Sequence, residues 1–277
     1  MNTIEKEVAW YYGDDELLTR ILAGLEVAGA DLNQLSPDDL APVEEFHIGG
    51  RKATIHAVDK MSLTAGQRVL DIGCGIGGAA RYIASRAGCA VTGIDLTAEY
   101  IEIAKALTDM TGLDKHARFE VASALEMPFP DAVFDAAITL HVAMNIKDRA
   151  GLYREIARVL KPDAVLYLFD VMKKGEEAIE FPVPWAESEA TSHLASPEEM
   201  MEFLDQAGFD VLETGDRTDF ALDFFKEVMS KAEDGPQPLG IHLVMGDRAA
   251  EKMKNVKMNI EQGRIAPVQM VAKRRST

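Results

Sequence analysis

The chain has 277 residues, 47% of them hydrophobic: enough for the core of one α/β domain with an added cap, and too few for two full domains. A formal net charge of −17 and an isoelectric point near 4.8 exclude unassisted binding to DNA, RNA or anionic membrane, since neutralising phosphates takes clustered Lys and Arg. The two cysteines, Cys74 and Cys89, form neither a disulfide framework nor a metal-ligand spacing, and no metal is expected.

No apolar run approaches the roughly 18 residues of a membrane-spanning helix, and the N-terminal MNTIEKEVAWYYGDDE is too acidic for a signal peptide. The expectation is a cytoplasmic protein without membrane insertion. Residues 1–62 read as an N-terminal helical cap, 63–172 as a cofactor-binding core, and 173–277 as lid segments plus terminal strands completing the same domain. In the cap, Tyr11 and Tyr12 either close a site or anchor an N-terminal helix, and Tyr12 is carried as a candidate substrate contact. A second helix begins near Ile48, after Phe46-His47.

Residues Val69 to Gly78, VLDIGCGIGG, read as a strand, a tight turn and a helix start built around a nucleotide. Gly73, Gly75 and Gly78 meet the G-x-G-x-x-G spacing of a dinucleotide site. Asp71 changes the reading. Two residues before the first glycine, it would repel a pyrophosphate and attract an ammonium group. S-adenosylmethionine carries such an ammonium and a sulfonium besides. With these residues the segment resembles the first motif of the class I S-adenosylmethionine-dependent methyltransferases. The resemblance makes Asp71, Gly73, Cys74, Gly75 and Gly77 candidate cofactor contacts.

Further along, Cys89–Asp95 reads as a second strand and Ala98–Met110 as a helix. Asp95, roughly 20 residues past the glycines, suits both hydroxyls of a ribose, a spacing that also fits NAD. Leu96 packs on an adenine face or in the core. After a third strand, Phe119–Ala122, the family commonly has an aspartate for the adenine amino group. This chain has Ser123 instead, with the backbone of Ala124 and Leu125 to supply the remaining contacts. Phe134–Leu140 is a fourth strand, Asp148–Leu160 a helix and Ala164–Asp170 a fifth strand.

Beyond the core, Lys173–Ser196 holds Phe181-Pro182-Val183-Pro184-Trp185, too proline-rich for a helix interior, and reads as an irregular lid. Phe209–Glu213 and Ile265–Lys273 are two more strands, and the insertion between them carries helical patterns at Ala221–Lys231 and Asp247–Gln262. Strands alternating with helices give a doubly wound, mostly parallel seven-stranded sheet of α/β class, with N-terminal helices and a late helical lid. The resemblance covers roughly residues 46 to 172. Met127-Pro128-Phe129-Pro130-Asp131, Phe46-His47-Ile48-Gly49-Gly50 and His141-Val142-Ala143-Met144-Asn145-Ile146 are similar to the small-molecule branch that includes the ubiquinone/menaquinone, tocopherol and sarcosine/dimethylglycine methyltransferases.

The resemblance implies methyl transfer from S-adenosylmethionine to a small organic acceptor by in-line displacement, leaving S-adenosylhomocysteine. Positioning supplies most of such a rate, so no obvious catalytic dyad is required. His141, just past the fourth strand, is the candidate base or acceptor-orienting residue, or else a histidine bonded within its loop. Asn145 orients an acceptor or caps the following helix, and Arg51 meets the cofactor carboxylate or forms a surface ion pair. Trp185 and Met245, with Phe224 and Phe225, line an acceptor pocket or belong to the core. Two other functions stay open on the same glycine turn: an NAD(P)-dependent oxidoreductase and a cofactor-binding protein without turnover. The partner is a small-molecule methyl acceptor, no nucleic acid, with a homodimer left open.

Overall fold

The protein is described here by a computed structural model, covering residues 16–233, 237–246 and 248–276. Tyr11 and Tyr12 lie outside the described residues. The core is one seven-stranded sheet in the order β3-β2-β1-β4-β5-β7-β6. Its strands are β1 (Arg68–Ile72), β2 (Ala90–Asp95), β3 (Ala117–Val121), β4 (Phe134–Leu140), β5 (Leu160–Lys173), β6 (Phe209–Asp216) and β7 (Ile265–Arg274). All neighbours from β3 to β5 run parallel, whereas β7 lies antiparallel to both β5 and β6.

Strand order reverses between β1 and β4, and at that point an open α/β sheet leaves a crevice outside its carboxyl ends. The central strands are apolar on both faces because helices cover both. Leu70, Ile72 and Leu166 pack on one side, and Val69, Val91 and Tyr167 on the other.

The helices in chain order are α1 (Leu17–Val27), α2 (Pro37–Glu44), α3 (Gly50–Met61), α4 (Gly78–Ala87), α5 (Ala98–Met110), α6 (Arg149–Val159), α7 (Pro197–Gln206), α8 (Thr218–Glu233), α9 (His242–Met245) and α10 (Ala249–Glu261). Among those absent from the pattern read above are α2 and α7. Both begin with Ser-Pro followed by acids: at Ser36 and Ser196 the serine caps the first turn while Asp39 or Glu199 reaches back to the serine N–H. The helix α6 is capped by Asp148, whose carboxylate accepts from the Gly151 N–H at 2.8 Å. Asn145, proposed above for that cap, ends a preceding short 3₁₀ turn instead.

Strand β5 starts four residues earlier than its apolar run. Leu160 pairs with Phe134 before a register shift, and Asp163 takes φ +64° in the irregular stretch that follows. Between β6 and β7 the insertion forms α8 to α10. Together with the irregular segment after β5, it covers the crevice beside the cap. Among the described residues no helix is long and apolar enough to cross a membrane.

Leu70 is fully buried at the centre of β1. Leu70→Ala is expected to destabilise the fold by about 2 to 5 kcal/mol, measured as a lower denaturation midpoint at unchanged slope.

Candidate active site

The glycine turn owes its shape to contacts on three sides. Gly73 N–H and Cys74 N–H both donate to the Ile94 carbonyl, at 2.8 and 3.0 Å, tying the turn to the end of β2. Gly75 N–H donates to Asp95 Oδ2 at 3.0 Å, and Asp95 Oδ1 accepts from the Thr97 N–H. Below the turn, the fully buried Arg81 donates to the Ile76 carbonyl at 2.7 Å and pairs with Glu44 Oε2 at 2.5 Å.

The four glycines serve different ends. A Cβ on Gly73 would stand 2.4 Å from Val142, and one on Gly78 would stand 2.8 Å from Glu44. A Cβ on Gly77 would meet both Arg81 and Phe119 at 2.8 Å. These three admit neighbouring chain. Gly75, at φ +53°, has nothing within 4 Å, and it borders the main cavity.

That cavity, of about 470 Å³, lies over the carboxyl ends of β1, β2 and β4. Its wall brings together Asp71, Gly73, Cys74, Gly75, Asp95, Leu96, Ser123, Ala124, Leu125 and His141. Gly77 and Arg51 are not part of it. Arg51 instead pairs with Glu45 Oε1 at 2.6 Å and Glu44 Oε1 at 2.7 Å, and stacks over Tyr82. Two buried carboxylates have claimed its guanidinium, so the expectation of a cofactor carboxylate there is corrected.

Ser123 Oγ accepts from the Leu125 N–H at 3.0 Å, which folds this loop against the cavity rim. Glu45, His47, Tyr100 and Val244 also line the cavity, and of these only His47 drew notice in the sequence. The signal available was the acidic pair Glu44-Glu45 directly before an apolar Phe46.

Asp71 carries a marked electrostatic anomaly in the cavity wall. It is 2% exposed, accepts from the Ala80 N–H, and leaves Oδ2 with no hydrogen-bond partner among the described residues. Burial, with Glu45 and Asp95 adding like charge, pushes its carboxyl up to about 7. A second buried acid, Asp170 on β5, accepts from the backbone N–H groups of Val142, Ala143 and Met144 and holds the loop carrying His141. Its burial also lifts it to about 7.

His141 takes φ +57°, donates its backbone N–H to the Phe169 carbonyl at 2.7 Å and packs its ring on Phe169. Its Nε2 is buried without a partner among the described residues. The ring of His47 stands 6.1 Å away, edge to face. Burial pulls His47 down to about 4 and His141 well below its usual range, so both are neutral at pH 7.

On the far side of these histidines lies a second, smaller cavity of about 50 Å³. It shares Phe46, His47 and His141 with the first, and there the structure places both Trp185 and Met245. The aromatic residues Phe224 and Phe225 of α8 line it as well.

An unpaired buried carboxylate facing a cavity fits a cationic ligand group, and the open side of Gly75 leaves room for one against the backbone. Asp95 offers a second acidic edge 20 residues on. These two carboxylate acceptors therefore fit the ammonium and ribose hydroxyls of S-adenosylmethionine.

Comparison with known proteins shows the family and the fold. Residues 70–168 match the model of a methyltransferase domain. The chain is similar to the O-methyltransferase resE of Aspergillus sclerotiorum, 31% identical over 231 residues that span 81% of this chain and 83% of that one. The geranyl diphosphate C-methyltransferase of Streptomyces coelicolor A3(2), solved with Mg²⁺, geranyl diphosphate and S-adenosyl-L-homocysteine, superposes with a TM-score of 0.74. It is 16% identical and the match covers 99% of this chain and 98% of that one. The [4+2]-cyclase SpnF shares the fold too, with a TM-score of 0.67 at 23% identity over 95% of this chain and 94% of that one.

The buried pair beneath the turn makes a direct prediction. Arg81→Met leaves Glu44 buried beside Glu45, with Arg51 its one remaining ion-pair partner among the described residues, and is expected to cost about 3 to 5 kcal/mol of stability in denaturant titration.

Proposed function

The chain belongs to the class I S-adenosylmethionine-dependent methyltransferases that act on small molecules, and from that premise we propose that Asp71, Asp95 and the glycine turn hold the cofactor while His141 faces the methyl acceptor. One observation carries the assignment: the Asp71 carboxylate, buried in the cavity wall with Oδ2 unpartnered among the described residues. A cationic ammonium there relieves the cost of burying the charge. Asp95, fixed by the N–H groups of Gly75 and Thr97, keeps lone pairs for ribose hydroxyls. Leu96, Ser123, Ala124 and Leu125 form the rim on which an adenine would rest.

When bound, the cofactor supplies a methyl group on a positively charged sulfur. The remaining work belongs to the chain, and it is chiefly positional. Asp170 fixes the loop after β4 through three backbone N–H groups, and Val142 of that loop packs onto Gly73. The histidine that faces the acceptor is thereby tied to the turn that faces the cofactor. Apolar walls beyond His141 exclude water from the transfer point. We place the protein in the reducing interior of the cell, a reading supported by its two unpaired cysteines, both buried.

The proposal predicts proton-linked binding. A carboxyl held near 7 in the free protein must be ionised to pair with an ammonium, so affinity for S-adenosylhomocysteine should rise as pH goes from 6 to 8. Asp71→Asn should remove that pH dependence and weaken binding by about 1 to 3 kcal/mol. Calorimetry at three pH values measures both. An unchanged affinity in the variant would remove the ammonium from this site.

A further inference from the structure

The small cavity beyond the histidines differs from the main one in kind. Five acids, Glu44, Glu45, Asp71, Asp95 and Asp148, line the cofactor cavity, whereas among the described residues the second cavity is lined by no Asp, Glu, Lys, Arg or Tyr. Its walls include Phe46, Trp185, Phe224 and Phe225 with the methionines Met144, Met245 and Met253. The polar groups it does contain are largely spent. Trp185 Nε1 donates to Ser192 Oγ at 3.0 Å. Thr54 Oγ1 donates to Glu45 Oε2 at 2.6 Å, so the His47 Nε2 that lies 3.2 Å from the same hydroxyl must be its donor. That leaves His141 Nε2, buried and without a partner among the described residues, at the boundary between the two cavities.

A phosphate or diphosphate entering such a chamber would lose its hydration and find no cation, and an ammonium would find no carboxylate. An apolar ring or chain loses nothing. Flexible methionines on its walls let a space of about 50 Å³ open around a larger guest.

Resting on the methyltransferase reading of the main cavity, we infer that the acceptor is an uncharged, largely apolar molecule bearing an acidic hydroxyl, a phenol or enol, seated in this chamber with its O–H donated to His141 Nε2. His141 then carries its own ring hydrogen on Nδ1. In the transfer the hydroxyl proton moves to Nε2 as an oxygen lone pair forms the new C–O bond. The C–S electron pair stays on sulfur, giving neutral S-adenosylhomocysteine, and the imidazolium returns its proton to solvent. Phenolic acidity follows from the base available. A neutral, buried imidazole assists a hydroxyl of pKa about 10 far better than an alkyl alcohol.

The test uses the full chain with S-adenosylmethionine and a panel of 2-naphthol, alkylated phenols, cyclic enols, naphthalene, phosphoethanolamine and geranyl diphosphate. Methyl ethers of phenols or enols are expected, with naphthalene inert and both phosphorylated compounds at least about tenfold slower in kcat/KM. His141→Gln should lower kcat by about 10²-fold or more with S-adenosylhomocysteine affinity within about twofold. A carboxylate placed in the chamber from either of two helices, Met245→Glu or Met253→Glu, should cut naphthol turnover at least about tenfold, again with cofactor affinity kept. Faster methylation of either phosphorylated compound, no methyl ether from any phenol or enol, or naphthol turnover indifferent to both carboxylates would overturn the inference. Absent S-adenosylhomocysteine binding would instead defeat the methyltransferase reading on which it rests.

Discussion

A single buried ion pair joins the two halves of the site. Arg81 rises from the first turn of α4 with no exposure to solvent, and its guanidinium serves four partners: the Ile76 carbonyl of the glycine turn, the Glu44 carboxylate at the end of α2, the Ala104 carbonyl and the Thr108 hydroxyl on α5. A charge taken this far from water is tolerable only when its hydrogen bonds are made, so these partners cannot drift apart independently. The helical cap is thereby fastened to the turn. Arg51 extends the same network to Glu45, which leads directly into Phe46 and His47 at the boundary of the two cavities.

From that constraint the division of the crevice follows. On the β1–β2 side, Asp71 and Asp95 give it an acidic wall that suits a cation and a ribose. On the β4–β5 side, the loop held by Asp170 presents His141 toward an apolar chamber closed by α8 to α10 and the irregular segment around Trp185. Charged side chains line the first cavity, and among the described residues none lines the second. The superposition with a cyclase of the same fold shows why such local chemistry, rather than the architecture, has to carry a functional reading.

Much of this was legible in the sequence because it rests on local rules. Alternating strands and helices, one aspartate before a run of glycines and another at the end of β2 mark the sheet and its crevice without tertiary information. The helix Ala98–Met110 and the strand Phe134–Leu140 have the bounds that their apolar patterns predict. What escaped was of two kinds. The helices α2 and α7 announce themselves through Ser-Pro-x-acid caps at Ser36 and Ser196, a local signal that the hydrophobic pattern alone passes over. Arg51 and Arg81 are different: nothing local distinguishes an arginine that will be buried against Glu44 from one that meets solvent or a ligand, because the partner lies 7 residues away in one case and 37 in the other. Three of the four glycines also prove to accommodate neighbouring chain, which only packing reveals.

The central claim is that one crevice holds a cationic cofactor end at Asp71 and an acceptor at His141. A crystal structure with S-adenosylhomocysteine tests it most directly. The account predicts the ligand ammonium at hydrogen-bond distance, about 2.7 to 2.9 Å, from Asp71 Oδ2, the ribose on Asp95 and the sulfur turned toward His141. An ammonium held elsewhere, or a sulfur facing away from His141, would contradict it.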